Sequence, residues 1–99
     1  MEEKVFNKER FGEGLTLVDF WAPWCGPCKM QARVMEKFEE LHPEIKVVKI
    51  NVDEEGELSV RLGIMSIPTL MILKNCEPLE TAIGFHSMEE LEALIARYA

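Results

Sequence analysis

The chain has 99 residues, of which 47% are hydrophobic and 29% charged, and this composition predicts one soluble globular domain with a hydrophobic core. Its formal net charge of −7 comes from 18 acidic and 11 basic residues. Nucleic acids and anionic membrane surfaces are bound through clusters of Lys and Arg, so this charge balance disfavours both as partners. We expect a monomer that binds neither.

The N-terminal segment, residues 1–10, is heavily charged and lacks the apolar stretch of a secretory signal. No segment approaches the roughly 18 apolar residues of a transmembrane helix. We therefore expect a cytoplasmic protein, in a compartment where glutathione and related systems keep thiols reduced. The three cysteines agree with this expectation, because an odd number cannot all pair within one chain.

Short apolar segments rich in Val, Ile and Leu predict four strands, over 15–21, 45–52, 69–73 and 79–85. The first two flank a segment long enough for a right-handed crossover, so they should be parallel. The last two are separated only by the short segment 74–78, so they should form an antiparallel hairpin.

Three helices are predicted between and after these strands. The first begins at Cys28 and ends at 42–43, where a proline stops it, and the second covers 54–62. The third opens with a capping box at 87–90. The apolar positions expected on the buried faces are Ala32, Met35 and Phe38 in the first helix and Leu91, Leu94, Ile95 and Tyr98 in the third.

This order of elements predicts an α/β fold, with a mixed sheet and helices on both of its faces. The chain has no internal repeat, low-complexity tract or linker, so we expect a single domain over 1–99. Cys25 then lies where the first strand passes into its helix, at the carboxyl end of the sheet. Proteins of the α/β class usually place their chemistry at that end.

Cys25 and Cys28 stand three positions apart, at the predicted start of a helix. The unpaired N–H groups and the dipole of a helix N terminus stabilise an anion by about 0.3–1 kcal/mol, which favours the thiolate of Cys25. Residues i and i+3 of a helix lie about 5–6 Å apart, which matches the Cα separation of a disulfide. The pair can therefore open and close with little backbone movement, and we expect one sulfur to remain exposed to an incoming disulfide.

Two other uses of the pair are less consistent with the chain. A structural disulfide would close only a four-residue loop, and the cytoplasm would reduce it. A zinc site needs about four ligands, and the chain adds to the pair only single residues on separate elements, Cys76, His42 and His86. Redox chemistry is the favoured interpretation, and we expect no metal and no cofactor.

The hexapeptide WCGPCK, residues 24–29, resembles the active-site motif of the thioredoxin family, together with the preceding VDFWA and the later KINVD and SIPTL. The resemblance covers about 15–99 in the family's order of elements. It implies a thioredoxin fold with four core strands plus a short N-terminal strand around 4–6, and a shortened N-terminal segment, 1–14. It also implies a thiol–disulfide oxidoreductase that reduces protein disulfides and is itself reduced by thioredoxin reductase, an NADPH-dependent flavoenzyme.

The resemblance also implies roles for two charged residues. Asp19 corresponds to the family's buried aspartate beneath the second cysteine and would act as a general base towards Cys28. Desolvation should raise the pKa of such a buried carboxyl, unless Asp19 is a strand-end residue that reaches solvent. Lys49 corresponds to the lysine near that aspartate, although strand lysines are often simply solvated.

The client-binding surface implied by the resemblance includes a cis Ile67–Pro68 peptide whose Ile67 backbone pairs with an extended client segment. Gly84, expected inside a strand, would permit close backbone approach or mark a simple bulge. Trp21 should belong to the core. The residues assigned to the surface are Trp24, Gly26, Pro27, Ile67, Pro68 and Gly84.

The chain departs from the family pattern at Arg33, where a helix-kinking proline is usual, and at Cys76, where glycine usually follows asparagine. We expect a straighter helix and an exposed, incidental thiol, with a regulatory or dimer-forming role for Cys76 as the alternative. Two other functions are considered, a redox-inactive scaffold subunit and a disulfide oxidase or isomerase. Relatives of the latter kind usually carry a histidine between their cysteines, where this chain has Gly26 and Pro27.

Overall fold

A four-stranded mixed sheet forms the centre of the structure, a computed structural model that describes residues 6–99. The spatial order of the strands is β2-β1-β3-β4, with β1 parallel to β2 and antiparallel to β3, and β3 antiparallel to β4. The predicted parallel crossover and hairpin are therefore confirmed. In chain order the elements are α1 (Lys8–Phe11), β1 (Leu15–Trp21), α2 (Gly26–Leu41), β2 (Lys46–Asn51), α3 (Gly56–Arg61), β3 (Thr69–Lys74), β4 (Glu77–Ile83) and α4 (Met88–Ala96).

The central strand β1 is buried on both faces, because successive side chains of a strand point to opposite sides. On one face Leu17 packs with residues of α2 and α4, including Phe38 and Leu91. On the other face Val18 and Phe20 belong to a second core cluster, which includes Phe11 of α1 and packs against Leu58 of α3. Helices thus cover both faces of the sheet, as the sequence predicts. Of the helices within residues 6–99, none has the length and hydropathy needed to cross a bilayer.

The N-terminal segment is described from Phe6 onward. The short strand expected around 4–6 lies outside the described residues except for Phe6, which is not in a strand. A four-residue helix, α1, follows and buries Phe11 against the sheet. Arg10 of this helix donates to both carboxylate oxygens of Glu55, at 2.6 and 2.7 Å. This pair fixes α1 against the residue that precedes α3.

The helix α2 begins at Gly26 with Cys25 as its N-cap residue, so the expected position of Cys25 just before the first helical turn is confirmed. It runs from Gly26 to Leu41 without interruption through Arg33. The expectation for Ala32 is wrong: it is exposed, and Gln31 is buried in its place. The buried positions follow the spacing i, i+3, i+7 and i+10, and they are Cys28, Gln31, Met35 and Phe38.

The turn between β3 and β4 holds Asn75 and Cys76 in the left-handed region, with φ values of 50° and 68°. The Asn75 side chain accepts a hydrogen bond from the N–H of Gly14 at 2.9 Å. Cys76 is half-buried, and its thiol donates to the carbonyl of Gly12 at 3.3 Å. The expectation of an exposed thiol at Cys76 is therefore wrong, because the turn folds back onto the segment before β1.

The capping box predicted for the last helix is present at the start of α4. Ser87 Oγ accepts from the N–H of Glu90 at 3.2 Å, and Glu90 Oε1 accepts from the N–H of Ser87 at 2.9 Å. We predict that Ser87→Ala lowers the free energy of unfolding by about 1 kcal/mol, because the Glu90 N–H loses its acceptor. Urea denaturation followed by far-UV circular dichroism measures the change.

The matched control is Ser87→Asp, which keeps an acceptor at the N-cap and should stay within about 0.5 kcal/mol of the unmodified protein. Equal stability of the Ala and Asp variants would contradict a stabilising role for the capping box.

Candidate active site

The two cysteines of the motif are joined by a disulfide bond at the start of α2. Their Cα atoms lie 5.2 Å apart, and the N–H of Cys28 donates to Cys25 Sγ at 3.2 Å. The predicted one-turn spacing is confirmed. Both residues are buried, with 6% of Cys25 and 3% of Cys28 exposed. The expected exposure of the outer cysteine is therefore small when the pair is oxidised, although it remains the more exposed of the two.

Local sequence accounts for this geometry. Cys25 is extended, with φ −92° and ψ 115°, so the chain turns into the helix directly after it. Pro27 lies in the first helical turn, where its missing N–H would have no intrahelical acceptor in any case. Both cysteines pack with Ala22, and the residues lying against this disulfide cluster are Trp21, Val52 and Ile67.

The Trp24 side chain lies on the surface, next to Cys25 in the chain. It is 69% exposed, and its indole Nε1 donates to Asp53 Oδ2 at 2.9 Å, which holds the ring in one orientation. Gly26 and Pro27 are exposed next to it. Asp53 is a site residue that the sequence interpretation missed. Its only signal was its position at the end of the KINVD segment.

The loop before β3 approaches the disulfide from the other side. The Ile67–Pro68 peptide bond is cis, as the resemblance implied, and the Ile67 carbonyl oxygen lies 3.8 Å from Cys25 Sγ. Ile67 is half-buried whereas Pro68 is buried. The carbonyl of Pro68 accepts a hydrogen bond from the N–H of Gly84 at 2.8 Å. The structure thus places Ile67 against Cys25 and joins Gly84 to Pro68, while Trp24, Gly26 and Pro27 lie next to Cys25 in the chain.

Gly84 differs from the prediction in its position and in its physical reason. It follows β4 instead of lying inside the strand, and the register shift between β3 and β4 lies at 72–73, away from it. Its φ of +92° is one that side-chain-bearing residues rarely adopt, while a Cβ placed on it would meet no atom within 4 Å. Backbone conformation requires glycine at this position, and close packing does not.

Asp19 is buried, with 2% exposed, on the face of β1 that also carries Leu17 and Trp21. Since Leu17 belongs to the core under α2 and Trp21 packs on the disulfide cluster, Asp19 lies between the two clusters. Its Oδ1 accepts no hydrogen bond from any residue in 6–99. Burial raises the pKa of Asp19 to about 6, and the positive charge of Lys49 partly opposes that shift.

Lys49 lies directly across from Asp19 in the parallel pairing of β1 and β2. Its ammonium donates to Glu39 Oε2 on α2 at 3.2 Å, and its side chain is 42% exposed. Lys49 therefore acts on Asp19 through its charge, because its hydrogen bond goes to Glu39.

Gln31 is a buried polar residue that the sequence interpretation missed. No part of it is exposed, and its amide makes two hydrogen bonds to the backbone of His86. Simple apolar periodicity could not find it, because a glutamine next to Ala32 is typical of a solvated helix face. Among residues 6–99, no group of three or more His, Cys, Asp or Glu side chains is placed to hold a metal ion.

Comparisons with known proteins add to this geometry. The thioredoxin family model matches residues 1–97. Thioredoxin of Bacillus subtilis (strain 168) is 51% identical over 97 residues, which cover 97% of this chain and 92% of the relative. Thioredoxin of Listeria monocytogenes is 49% identical over 97 residues, covering 97% of this chain and 93% of the relative.

Solved structures agree. A mutant thioredoxin from Halobacterium salinarum has a TM-score of 0.82 and 35% identity, covering 89% of this chain and 77% of that one. Plasmodium falciparum thioredoxin has a TM-score of 0.82 and 34% identity, covering 93% of this chain and 89% of that one. With the disulfide-forming pair, these matches define a thiol–disulfide oxidoreductase that reduces protein disulfides. The chain belongs to the thioredoxin family.

The raised pKa of Asp19 predicts a specific pH dependence of stability. The folded protein holds the proton up to about pH 6, whereas the unfolded chain releases it near 3.8. The stabilisation is therefore complete below about pH 4 and is lost as the pH rises through about 6. We predict that Asp19→Asn removes this loss, so that the oxidised variant is more stable than the unmodified protein at pH 8 by up to about 3 kcal/mol.

Denaturant titrations of the oxidised proteins between pH 4 and 8 provide the measurement. Glu36→Gln, an exposed change on α2, should leave the pH dependence of the unmodified protein in place. A parallel pH dependence in Asp19→Asn would show that another group causes it.

Proposed function

We propose that this chain reduces disulfides of client proteins, with Cys25 as the attacking thiolate and Cys28 as the resolving thiol. The observation that carries the assignment is the position of Cys25 as N-cap residue of α2, where the helix N terminus stabilises its thiolate and where it is the more exposed of the two cysteines. Cys28 lies one turn further in and is the more buried, so it is suited to attack Cys25 after the client has bound.

The reaction consists of two thiol–disulfide exchanges. The Cys25 thiolate attacks one sulfur of the client disulfide, the client S–S bond breaks, and the released client thiolate takes up a proton. Cys28, once deprotonated, attacks Cys25 Sγ, so that the mixed disulfide breaks and the second client thiolate leaves. The client gains two electrons, and Cys25 and Cys28 finish as the disulfide seen in the structure.

Asp19 is proposed as the general base that accepts the proton of Cys28, through a water molecule where direct contact is absent. A base is most effective when its pKa lies near the working pH, and burial raises the pKa of Asp19 to about 6. At neutral pH the carboxyl is then mostly ionised yet more basic than a solvated aspartate. Lys49 is proposed to support this role because its positive charge lowers the pKa of the buried carboxyl and so favours the ionised form.

The client-binding surface is proposed to lie between Trp24 and the Ile67–Pro68 loop. An extended client segment would pair with the Ile67 backbone, in the manner of strand addition, while its disulfide faces Cys25. The backbone around this position is accessible at Gly26, Pro27 and Gly84. The buried Pro68, joined to Ile67 by a cis peptide bond, is proposed to hold Ile67 in place.

Thioredoxin family proteins work with thioredoxin reductase and with disulfide-containing clients. We propose that an NADPH-dependent flavoenzyme of that kind re-reduces the pair, and that this chain holds no cofactor of its own. A reducing compartment, the cytoplasm, suits this direction of electron flow and a thiol at Cys76. We propose that the chain acts as a monomer and binds neither nucleic acid nor membranes.

The rival functions fit the site less well. A redox-inactive scaffold would have no need for a cysteine pair at disulfide distance on an activating helix terminus. An oxidase or isomerase gains oxidising power from stabilisation of its reduced thiolate, and between the cysteines this chain offers only Gly26 and Pro27, which carry no charge.

The two cysteine roles predict opposite trapping behaviour. We predict that Cys28→Ser accumulates a mixed disulfide with a client protein, because Cys25 attacks and nothing resolves the adduct. Cys25→Ser should trap at least about tenfold less, since Cys28 lies within α2 and lacks the N-cap position that stabilises the Cys25 thiolate. Non-reducing gel electrophoresis after incubation with a disulfide-containing protein such as insulin gives the yields.

The control for this experiment is Cys76→Ser, which should neither trap nor lose turnover in an insulin reduction assay with dithiothreitol. Stronger trapping by Cys25→Ser than by Cys28→Ser would reverse the assigned roles. Absence of turnover in the unmodified protein would refute the reductase function itself.

The base role of Asp19 predicts a kinetic defect in resolution. In Asp19→Asn the release of client from the mixed disulfide should slow by about 100-fold at pH 7, the lower end of the range for general acid–base catalysis. The rise in the rate of this step as the pH increases through about 6 should also disappear. Rapid-mixing measurements of tryptophan fluorescence follow the step, and an unaltered pH profile in the variant would remove Asp19 from the mechanism.

A further inference from the structure

A buried glutamine one turn beyond the active-site pair makes a two-point contact with another part of the chain. Gln31 Nε2 donates to the carbonyl of His86 at 3.0 Å, and Gln31 Oε1 accepts from the N–H of His86 at 2.8 Å. Both bonds go to backbone atoms, so the glutamine amide pairs with His86 as a neighbouring strand would. Gln31 is fully buried, so water does not compete for these bonds.

The residue it holds belongs to the connection between β4 and α4, residues 84–87. Within this connection, His86 Nδ1 donates to the carbonyl of Gly84 at 2.8 Å. The N–H of Gly84 in turn donates to the carbonyl of Pro68, also at 2.8 Å. A continuous series of hydrogen bonds therefore runs from α2, through residues 84–87, to the loop that places Ile67 next to Cys25.

Without Gln31, little else would hold this connection against α2. Phe85 is 39% exposed, and a Cβ placed on Gly84 would meet no atom within 4 Å, so neither residue packs the segment firmly into the core. The described hydrogen bonds between α2 and the connection are the two made by Gln31. The position of residues 84–87 relative to α2 is therefore set by the Gln31 amide, while Ile67 also packs directly on the disulfide cluster.

We propose that Gln31 is a positioning residue that fixes the 84–87 connection, and through it the client-binding surface, relative to Cys25 and Cys28. Gln31 touches neither the client nor the reacting sulfurs in this role. It preorganises the surface, so that a protein client binds without first having to order the segment. The inference rests on the proposed function, because it concerns the surface at which clients dock.

The role separates protein clients from small disulfides. A protein client contacts the whole surface, whereas 5,5′-dithiobis(2-nitrobenzoate) needs only the Cys25 sulfur. In Gln31→Met, which is similar in length and lacks both hydrogen-bonding groups, the KM for insulin should rise about fivefold to tenfold with kcat within twofold. The second-order rate constant for the reduced variant with the small disulfide should stay within twofold.

The matched control is Phe38→Leu, a buried change two turns further along α2 that loosens the core without touching residues 84–87. It should leave both the insulin KM and the small-disulfide rate unchanged. An unchanged insulin KM in folded Gln31→Met would overturn the proposal. An equal fall in the rates of insulin reduction and of the small-disulfide reaction would also overturn it, because the effect would then lie at the dithiol. If the unmodified protein does not reduce insulin, the proposed function has failed instead, and the two failures are distinguishable.

Hydrogen exchange of the unmodified protein provides a test that does not depend on the folding of a variant. The amide of His86 should exchange at least about 100-fold more slowly than the same residue in an unstructured peptide, because Gln31 Oε1 accepts its proton in a buried site. Exchange of the His86 amide at the unstructured rate would overturn the proposal.

Discussion

The burial of β1 on both faces is the constraint on which the active site depends. When helices cover both faces of a strand, its reactive side chains can reach other molecules only at one of its ends. The carboxyl end of β1 leads directly into α2. The turn into that helix places Cys25 at the helix N terminus, with its sulfur next to the loop before β3. Because the strand and the helix are both held by the core, the cysteine pair is positioned by rigid elements.

The same burial strongly affects the polar residues at this end of the molecule, because water cannot supply their hydrogen bonds. Asp19 enters an apolar interior with a carboxyl oxygen that no protein group in residues 6–99 satisfies, and its pKa rises as a consequence. Gln31 enters the same interior with both ends of its amide satisfied, and it orders a neighbouring segment. The unpartnered carboxyl thus has a raised pKa, whereas both hydrogen-bonding groups of the Gln31 amide have partners.

Much of this arrangement could be predicted from the sequence, because its signals are local. The apolar segments gave the four strands, the capping box gave the start of α4, and the spacing of Cys25 and Cys28 gave a disulfide across one helical turn. The burial of Ala32 was predicted wrongly because the rotation of α2 is set by how Cys28 and Phe38 pack, which a periodicity in the sequence leaves uncertain by one position.

Other features depend on contacts between distant parts of the chain. Gly84 is needed for its backbone angle just beyond β4, and a sequence alone does not show where a strand ends to within one residue. The half-buried state of Cys76 follows from the turn lying against Gly12, more than sixty residues away in the chain. Asp53 becomes a site residue only through its hydrogen bond to Trp24.

The ion pair between Arg10 and Glu55 has a consequence for how the molecule opens. It joins α1 to the residue that precedes α3. Both helices lie on the face of the sheet where Phe11 packs with Phe20. The pair therefore couples α1 to α3, in addition to the apolar contacts that each makes with the sheet. Local opening of α1 should therefore loosen the start of α3 with it, on the face of the sheet opposite to α2.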